Sequence, residues 1–279
     1  MDHRLTAFAR RHPRLLVLTG AGCSTDSGIP DYRDDQGQWK RAPPMTFQAF
    51  TGSQAARQRY WARSLIGWAV MHAARPGPAH LALARLEAAG HVELLLTQNV
   101  DGLHHAAGSQ RVIDLHGRID TVVCLACHAH LPRADFQGLL HARNPAWQHH
   151  HAHTAPDGDA DLDGLDFSSF NVPPCPACGV GVLKPDVVFF GENVPRPRVD
   201  AALAALHRAD ALLVAGSSLM VYSGYRFAQA AAASGKPIAA INLGRTRADD
   251  LLALKVQQPV GDALQALAKA VAVGRVSAA

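Results

Sequence analysis

The chain has 279 residues, which is enough for one large α/β domain or for a main domain with a smaller insertion. Its hydrophobic content of 48% is typical of a packed globular protein, and no apolar run reaches the roughly 18 residues that cross a bilayer. The net charge is only +4, and the arginines and lysines are scattered along the chain. Composition therefore favours a solvated surface over a nucleic-acid-binding stripe, and we expect neither direct nucleic-acid binding nor a membrane partner.

Short apolar runs predict buried strands. They are LLVLTG at 15–20 and similar runs at 92–99, 112–117, 211–218 and 237–244. None alternates polar with apolar residues, as expected for strands that are covered on both faces of a parallel sheet. Helical patterns lie between or after these runs, at 79–90, 198–210, 226–236 and 262–272. The alternation predicts an α/β fold with a Rossmann-like, doubly wound parallel sheet.

Two stretches interrupt this alternation. Residues 31–77 carry aromatics and prolines with weak helical patterning, which indicates a small helical insertion over the first loop. Residues 119–185 hold two CxxC pairs and a polar segment, and they predict an inserted zinc-ribbon module. The Rossmann-like part would then comprise residues 1–30, 78–118 and 186–279. Because the first strand begins at Leu15, we expect no removable presequence and a cytoplasmic location.

The cysteine pattern indicates a metal site. Cys124 and Cys127 form one pair, Cys175 and Cys178 form the other, and an odd total of five argues against a disulfide framework. Four thiolates suit tetrahedral Zn²⁺ and leave no open position, so the metal would be structural. A redox pair or unligated thiols remain the alternatives. The fifth, Cys23, lacks a basic partner and is expected to be a small buried hydrophobe.

A histidine run lies inside the polar segment of the predicted module. Its members are His149, His150, His151 and His153. We interpret it as a flexible polar loop in preference to a weak metal site.

Four polar loops follow the predicted strands: GAGCS, TQNVD, GSS and NLG. In open parallel sheets, ligands bind at the carboxyl ends of the strands. Gly20, Ala21 and Gly22 would let backbone amides approach a pyrophosphate, and Ser24 and Thr25 would add hydroxyls at a helix N-terminus. The loop lacks the third glycine of GxGxxG, and the absence of GxxxxGK[ST] excludes a Walker A triphosphate site. This motif alone is also compatible with a tight strand-to-helix turn that binds no ligand.

The second of these loops carries Gln98, Asn99 and Asp101, whose buried side chains need polar partners such as a ribose and a carboxamide. An Asx turn would explain Asn99 or Asp101, but not both together with Gln98. His116 ends the strand at 112–117 and should point into the same crevice, where a neutral imidazole is a natural general base. His104, on a predicted helix, gains no such support.

The order of these motifs resembles the sirtuin family of NAD-dependent protein deacylases. GAGCSTDSGIPDYR, TQNVDGLH, LHG, the two CxxC pairs, GVLKPDVVFFGE, AGSSL and INLG follow in family order over residues 14–262. SSLMVYSGYRF at 217–227 and the APDGDADL insertion are most similar to class II sirtuins. The resemblance implies a single catalytic domain over 1–279, NAD consumed as co-substrate, and one structural zinc on the four paired cysteines.

The resemblance also assigns site residues. His116 and Asn99 would be catalytic. The residues that would contact NAD are Gly20, Ala21, Gly22, Cys23, Ser24, Thr25, Asp31, Tyr32, Arg33, Gln98, Asn99, Val100, Asp101, Gly216, Ser217, Ser218, Asn242, Leu243, Gly244 and Val260. Segment 34–44 contains no Tyr-x-x-Arg pair that would recognise a succinyl carboxylate, so the preferred acyl group stays open.

The implied reaction moves an acyl group from a modified lysine to ADP-ribose and releases nicotinamide, with His116 deprotonating a ribose hydroxyl. The protein substrate would add as a strand near Val188–Glu192 and Leu219–Tyr222. A mono-ADP-ribosyltransferase is the enzymatic alternative, because the same pocket would activate the same ribose carbon. A further alternative is that the chain is not an enzyme but a catalytically silent module that binds NAD or zinc.

Overall fold

A computed structural model describes residues 2–40, 44–149, 160, 162 and 164–276. Its strands are, in chain order, β1 Leu15–Thr19, β2 Val92–Thr97, β3 Val112–Asp114, β4 Gly117–Cys124, β5 His130–Pro132, β6 Leu183–Val187, β7 Ala211–Ala215, β8 Ile238–Ile241 and β9 Leu254–Val256. Its helices are α1 His3–Arg11, α2 Phe47–Gly52, α3 Gln54–Ala73, α4 Pro78–Ala88, α5 Leu103–Ala106, α6 Arg133–Arg143, α7 Arg196–Arg208, α8 Tyr222–Ala233 and α9 Val260–Val276.

Among the described residues, six strands form a parallel sheet in the order β3-β2-β1-β7-β8-β9. Leu15 and Val17 of β1 face a core with α1, α4 and α9, while Leu16 and Leu18 face a second core with α7 and α8. Both faces of the central strand are buried, because its side chains alternate between the two cores. This confirms the predicted Rossmann-like, doubly wound sheet.

Two elements of the sheet layer were not predicted. Helix α1 buries Leu5 and Ala9 against the sheet, and its arginines lie towards solvent. The edge strand β9 is only three residues long and pairs with β8. Helix α8 begins at Tyr222, four residues before the predicted 226.

A second, smaller lobe interrupts the Rossmann-like part. Strands β5, β4 and β6 form an antiparallel sheet. One apolar cluster joins this lobe to α3 and α6: Trp61 and Phe136 pack with Leu183, Cys124 and Cys175. The helical insertion and the cysteine-bearing lobe therefore share one core. No described helix is long and apolar enough to cross a membrane.

Candidate active site

A cavity of about 770 Å³ opens beside the carboxyl ends of β1, β2, β7 and β8. The loops that follow these strands build one wall, and the segments at 29–35 and 187–194 build others. The cavity therefore lies where a doubly wound sheet presents its ligand site, next to the reversal of strand order between β1 and β7.

The glycines after β1 are required by loop packing. A Cβ on Gly20 would lie 2.7 Å from the Cβ of Ser217, and one on Gly22 would lie 3.0 Å from the Cα of Gly216. The amides of Gly20 and Gly22 donate to the carbonyls of Ala215 (3.2 Å) and Gly216 (2.9 Å). These two amides already have partners, so the loop does not offer them to a pyrophosphate as the sequence suggested.

Ser24 connects the polar side chains at the end of β2. Its Oγ donates to Asp101 Oδ2 at 2.7 Å and accepts from Asn99 Nδ2 at 3.0 Å. The backbone N–H of Gly77 donates to His80 Nδ1, so the proton of this neutral ring is on Nε2, 3.4 Å from Ser24 Oγ. One buried hydroxyl thus holds the amide and the carboxylate in fixed positions.

The remaining contacts hold the same loop. Asn99 Nδ2 also donates to the carbonyl of Gly20, and Gln98 Oε1 accepts from Ser217 Oγ at 2.6 Å. The second oxygen of Asp101 accepts from the backbone N–H of Leu103 at 2.9 Å. An Asx turn is therefore present, but it occupies only one oxygen of Asp101.

His116 reaches the cavity as a neutral base. Its Nδ1 lies 2.9 Å from the carbonyl of Gln98, which can only accept, so Nδ1 carries the proton and Nε2 accepts from Ser223 Oγ at 2.8 Å. Burial lowers the pKa of His116 to about 4, the bond to Gln98 opposes this, and the positive charges of Arg198 and Arg226 lower it further. Near pH 7 the ring is therefore neutral, and its Nε2 lone pair accepts the hydrogen bond from Ser223.

The segment after the first loop folds against one side of the cavity. The Arg33 guanidinium stacks on the Trp39 ring at 3.8 Å and donates to the carbonyl of Gly37, and Asp31 pairs with Lys40 at 2.5 Å. The Trp39 ring also contacts Phe190 edge-on. These contacts hold the wall to which Asp31, Tyr32 and Arg33 belong.

A Tyr-x-x-Arg pair does occur, but outside segment 34–44, at residues 60–63. Tyr60 of α3 lines the cavity. Arg63, one turn further on, donates from Nε to the carbonyl of Ala160 at 2.8 Å and is not part of the lining. The two side chains therefore do not face the cavity together.

The structure brings almost all of the sequence-predicted NAD residues to the cavity wall, together with His116. The exception is Cys23. Its Sγ donates to the carbonyl of Ala215 at 3.3 Å, and burial raises the pKa of the thiol to about 12. Cys23 is a buried core residue behind the wall.

The sequence did not predict His80, Ser223 or Arg226 near the site, and His104 was discounted. His80 and His104 are buried with ring centroids 4.7 Å apart, and His104 Nε2 lies 2.9 Å from Thr19 Oγ1. Ser223 and Arg226 reach the cavity from the first turns of α8. Arg226 is the first residue of the predicted helix and Ser223 lies just before it, so neither follows a predicted strand.

The four paired cysteines meet in space. All four Sγ atoms lie within 4.8 Å of one another, with 3.8 Å between Cys124 and Cys178 and between Cys127 and Cys175. Zn–S bonds of about 2.3 Å in a tetrahedron place the sulfurs about 3.8 Å apart. The backbone N–H of Gly181 donates to Cys178 Sγ, which supports a thiolate. The donor set and its spacing fit one zinc ion with a closed coordination sphere.

One member of the histidine run, His149, lies within the described residues. His149 ends a 3₁₀ turn at Pro145–His149. His150, His151 and His153 lie outside the described residues.

Comparisons agree with this geometry. Residues 20–223 match the model of the Sir2 family. An NAD-dependent protein deacetylase of Xanthomonas campestris pv. campestris (strain 8004) is 67% identical, over 93% of this chain and 88% of its own length. Another, from Bordetella bronchiseptica, is 64% identical over 93% of this chain and 94% of its own length. The chain belongs to the Sir2 family, which confirms the resemblance to the sirtuins.

Solved structures show the same fold. A Sir2 protein with a p53 peptide and NAD⁺ is 30% identical, with a TM-score of 0.78 over 98% of this chain and 99% of its own. A Sir2 homologue in complex with NAD is also 30% identical, with a TM-score of 0.75 over 98% of this chain and 95% of its own.

Proposed function

We propose that this protein is an NAD-dependent protein-lysine deacylase that yields free lysine, nicotinamide and O-acyl-ADP-ribose. The observation that carries the proposal is the neutral imidazole of His116, whose Nε2 lone pair lies at the cavity and whose Nδ1 proton is fixed by Gln98. Relatives 64–67% identical over most of the chain bear the name NAD-dependent protein deacetylase, which supports the same activity.

Each residue of the site has a task in this reaction. Bound NAD supplies the ribose carbon to which the acyl oxygen is transferred. His116 Nε2 takes the proton of a ribose hydroxyl, while Asn99 and Asp101, fixed through Ser24, orient the ribose and the carboxamide. The other sequence-predicted residues on the cavity wall would hold the ADP-ribose portion. Zinc on the four cysteines supplies folding stability and no catalytic step.

The protein substrate would enter between Val188–Glu192 and Leu219–Tyr222 and pair through its backbone. The first of these segments is held in place by hydrogen bonds. Glu192 Oε2 accepts from the backbone N–H of Phe189 at 2.8 Å and from Lys184 Nζ at 3.1 Å. Lys184 is only 4% exposed, so the segment is fixed by a buried cation.

Each part of the chain would have its own role. Residues 1–30, 78–118 and 186–279 would bind NAD, residues 31–77 would cover it, and residues 119–185 would carry the zinc. None of the five cysteines forms a disulfide. This agrees with a reducing compartment, and a cytoplasmic location is therefore part of the proposal.

Replacement of the base tests the function. We expect His116→Tyr to keep its fold and its zinc and to lose turnover of an acetyl-lysine peptide by at least about 100-fold, because general-base catalysis contributes that much or more. Labelled NAD distinguishes O-acyl-ADP-ribose from label attached to protein. Unchanged turnover in the variant would rule out His116 as the base, and protein-bound label without a deacylated peptide would indicate a mono-ADP-ribosyltransferase.

A further inference from the structure

Two arginines flank an exposed tyrosine at the rim of the cavity. The Tyr222 side chain is 55% exposed, with the Arg226 guanidinium 5.2 Å from its ring centroid and that of Arg247 at 6.0 Å. Arg247 also stacks on the ring of Tyr225 at 4.4 Å. We call these four residues the arginine–tyrosine patch.

The positive charge of this patch is not neutralised within the described residues. Neither arginine forms an ion pair there, and the carboxylate of Asp249, two residues from Arg247, pairs with Lys255 instead. The Nε of Arg226 is buried and has no hydrogen-bond partner. A buried donor without a partner is uncommon in folded proteins, and this guanidinium retains the capacity for a further hydrogen bond.

The patch adjoins both the candidate base and the candidate peptide path. Arg226 lines the cavity, and its charge acts on His116. Arg247 donates from Nη1 to the carbonyl of Met220 at 3.1 Å, within the segment Leu219–Tyr222. A lysine that reaches His116 would therefore bring its sequence neighbours over the patch.

We propose that the arginine–tyrosine patch binds an acidic side chain of the protein substrate, close in sequence to the acyl-lysine; this rests on the proposed deacylase function. A guanidinium matches a carboxylate in shape and charge, and Tyr222 offers an apolar face for the methylenes of a glutamate. Neither arginine is among the residues predicted to contact NAD. The patch thereby adds a sequence preference to a site whose backbone pairing alone would tolerate varied substrates.

Matched acetyl-lysine peptides test the proposal. The peptides differ only in whether Glu, Gln or Lys occupies the two positions on each side of the acetyl-lysine. For the wild-type protein we expect kcat/KM about five-fold higher with Glu than with Gln, the size of a partly exposed ion pair. The ratio should fall towards one in about 0.5 M salt, because such pairs are screened.

Variants of the two arginines test whether the patch causes the preference for Glu peptides. In the double variant Arg226→Gln/Arg247→Gln the Glu-to-Gln ratio should be about one, and in Arg226→Glu/Arg247→Glu the Lys peptide should become the better substrate. The ratio is taken within one variant, so a general loss of turnover cancels. Arg196→Gln is the matched control, because that arginine is 91% exposed on α7, and it should keep the wild-type ratio.

The outcomes separate the two proposals. Equal kcat/KM for the Glu and Gln peptides in the wild type would overturn the patch proposal and leave the deacylase standing. Turnover of no acetyl peptide would overturn the deacylase itself. Inhibition by a short DNA duplex that the double variant abolishes, with no Glu preference, would assign the patch to phosphates and also overturn it.

Discussion

Ser223 shows how a single hydroxyl influences the base. Its Oγ–H donates to the lone pair of His116 Nε2, which is the atom proposed to take the ribose proton. One lone pair accepts one strong hydrogen bond, so the serine must rotate away before the ribose hydroxyl can bind. We expect Ser223→Ala to raise kcat/KM for NAD by about two- to five-fold, since it removes a competitor worth about 0.5–1 kcal/mol.

Ser223→Thr is the control for this prediction, because it retains a hydroxyl and should stay near the wild-type value. Steady-state kinetics with NAD varied at a fixed concentration of acetyl peptide measures the effect. A ten-fold loss in Ser223→Ala would contradict the competition and would mean that the serine assists proton transfer.

At the scale of elements, the zinc module and the helical insertion share one apolar core. Cys124 and Cys175 belong to the same apolar cluster as Trp61 of α3 and Phe136 of α6. We expect Cys127→Ser to reduce the zinc content from one ion per chain to nearly none and to increase hydrogen exchange in both the module and α3. Elemental analysis and hydrogen-exchange mass spectrometry measure these changes.

Cys23→Ala is the matched control for the zinc prediction. Cys23 lies in the core of the parallel sheet, apart from the four cysteines that meet in the module. This variant should keep its zinc and the protection of α3. If Cys127→Ser lost the metal but left exchange in α3 unchanged, the two parts would be independent.

At the scale of the whole molecule, stability should depend on pH through buried neutral histidines. Burial lowers the pKa values of His80, His104 and His116, that of His116 to about 4, whereas an unfolded histidine titrates near 6.5. Between these values the unfolded chain binds more protons than the folded one, so the free energy of unfolding falls as pH falls. Urea unfolding at pH 7, 6 and 5 should show a steady loss of stability.

His116→Gln provides the comparison for the pH dependence. It removes one of the three titrating groups, so its stability should fall less steeply between pH 6.5 and 5 than that of the wild type. Equal slopes in the two proteins would mean that His116 does not resist protonation in the folded state.

The parallel sheet could be predicted because its central strands are apolar without interruption, as Leu15–Thr19 illustrates. Helix α1 and strand β9 were missed for the opposite reason. The first has charged residues among its apolar ones, and the second is three residues long with only Val256 fully buried. Contact between α3 and the zinc module depends on tertiary packing, and no local sequence pattern predicts it.

Much of the cavity wall could likewise be predicted, because polar residues after parallel strands converge at one edge of the sheet. Ser223 and Arg226 were missed because α8 begins at Tyr222, so they lie in its first turns at the cavity. His80 was missed because a buried histidine near a helix start has the same sequence pattern as an exposed one.

The packing of the Gly20–Gly22 turn against Gly216 and Ser217 also has a consequence for synthesis. Leu15 pairs with Ala211, roughly 200 residues later, so one edge of β1 stays unpaired until the second half of the chain has been made. At bacterial and eukaryotic elongation rates this interval is about 10–40 s. During it the nascent chain exposes a hydrophobic strand edge, which is a hazard for aggregation. The proposed NAD pocket would then be among the last features to assemble, and a ribosome that stalls early would release a chain in which this pocket is incomplete.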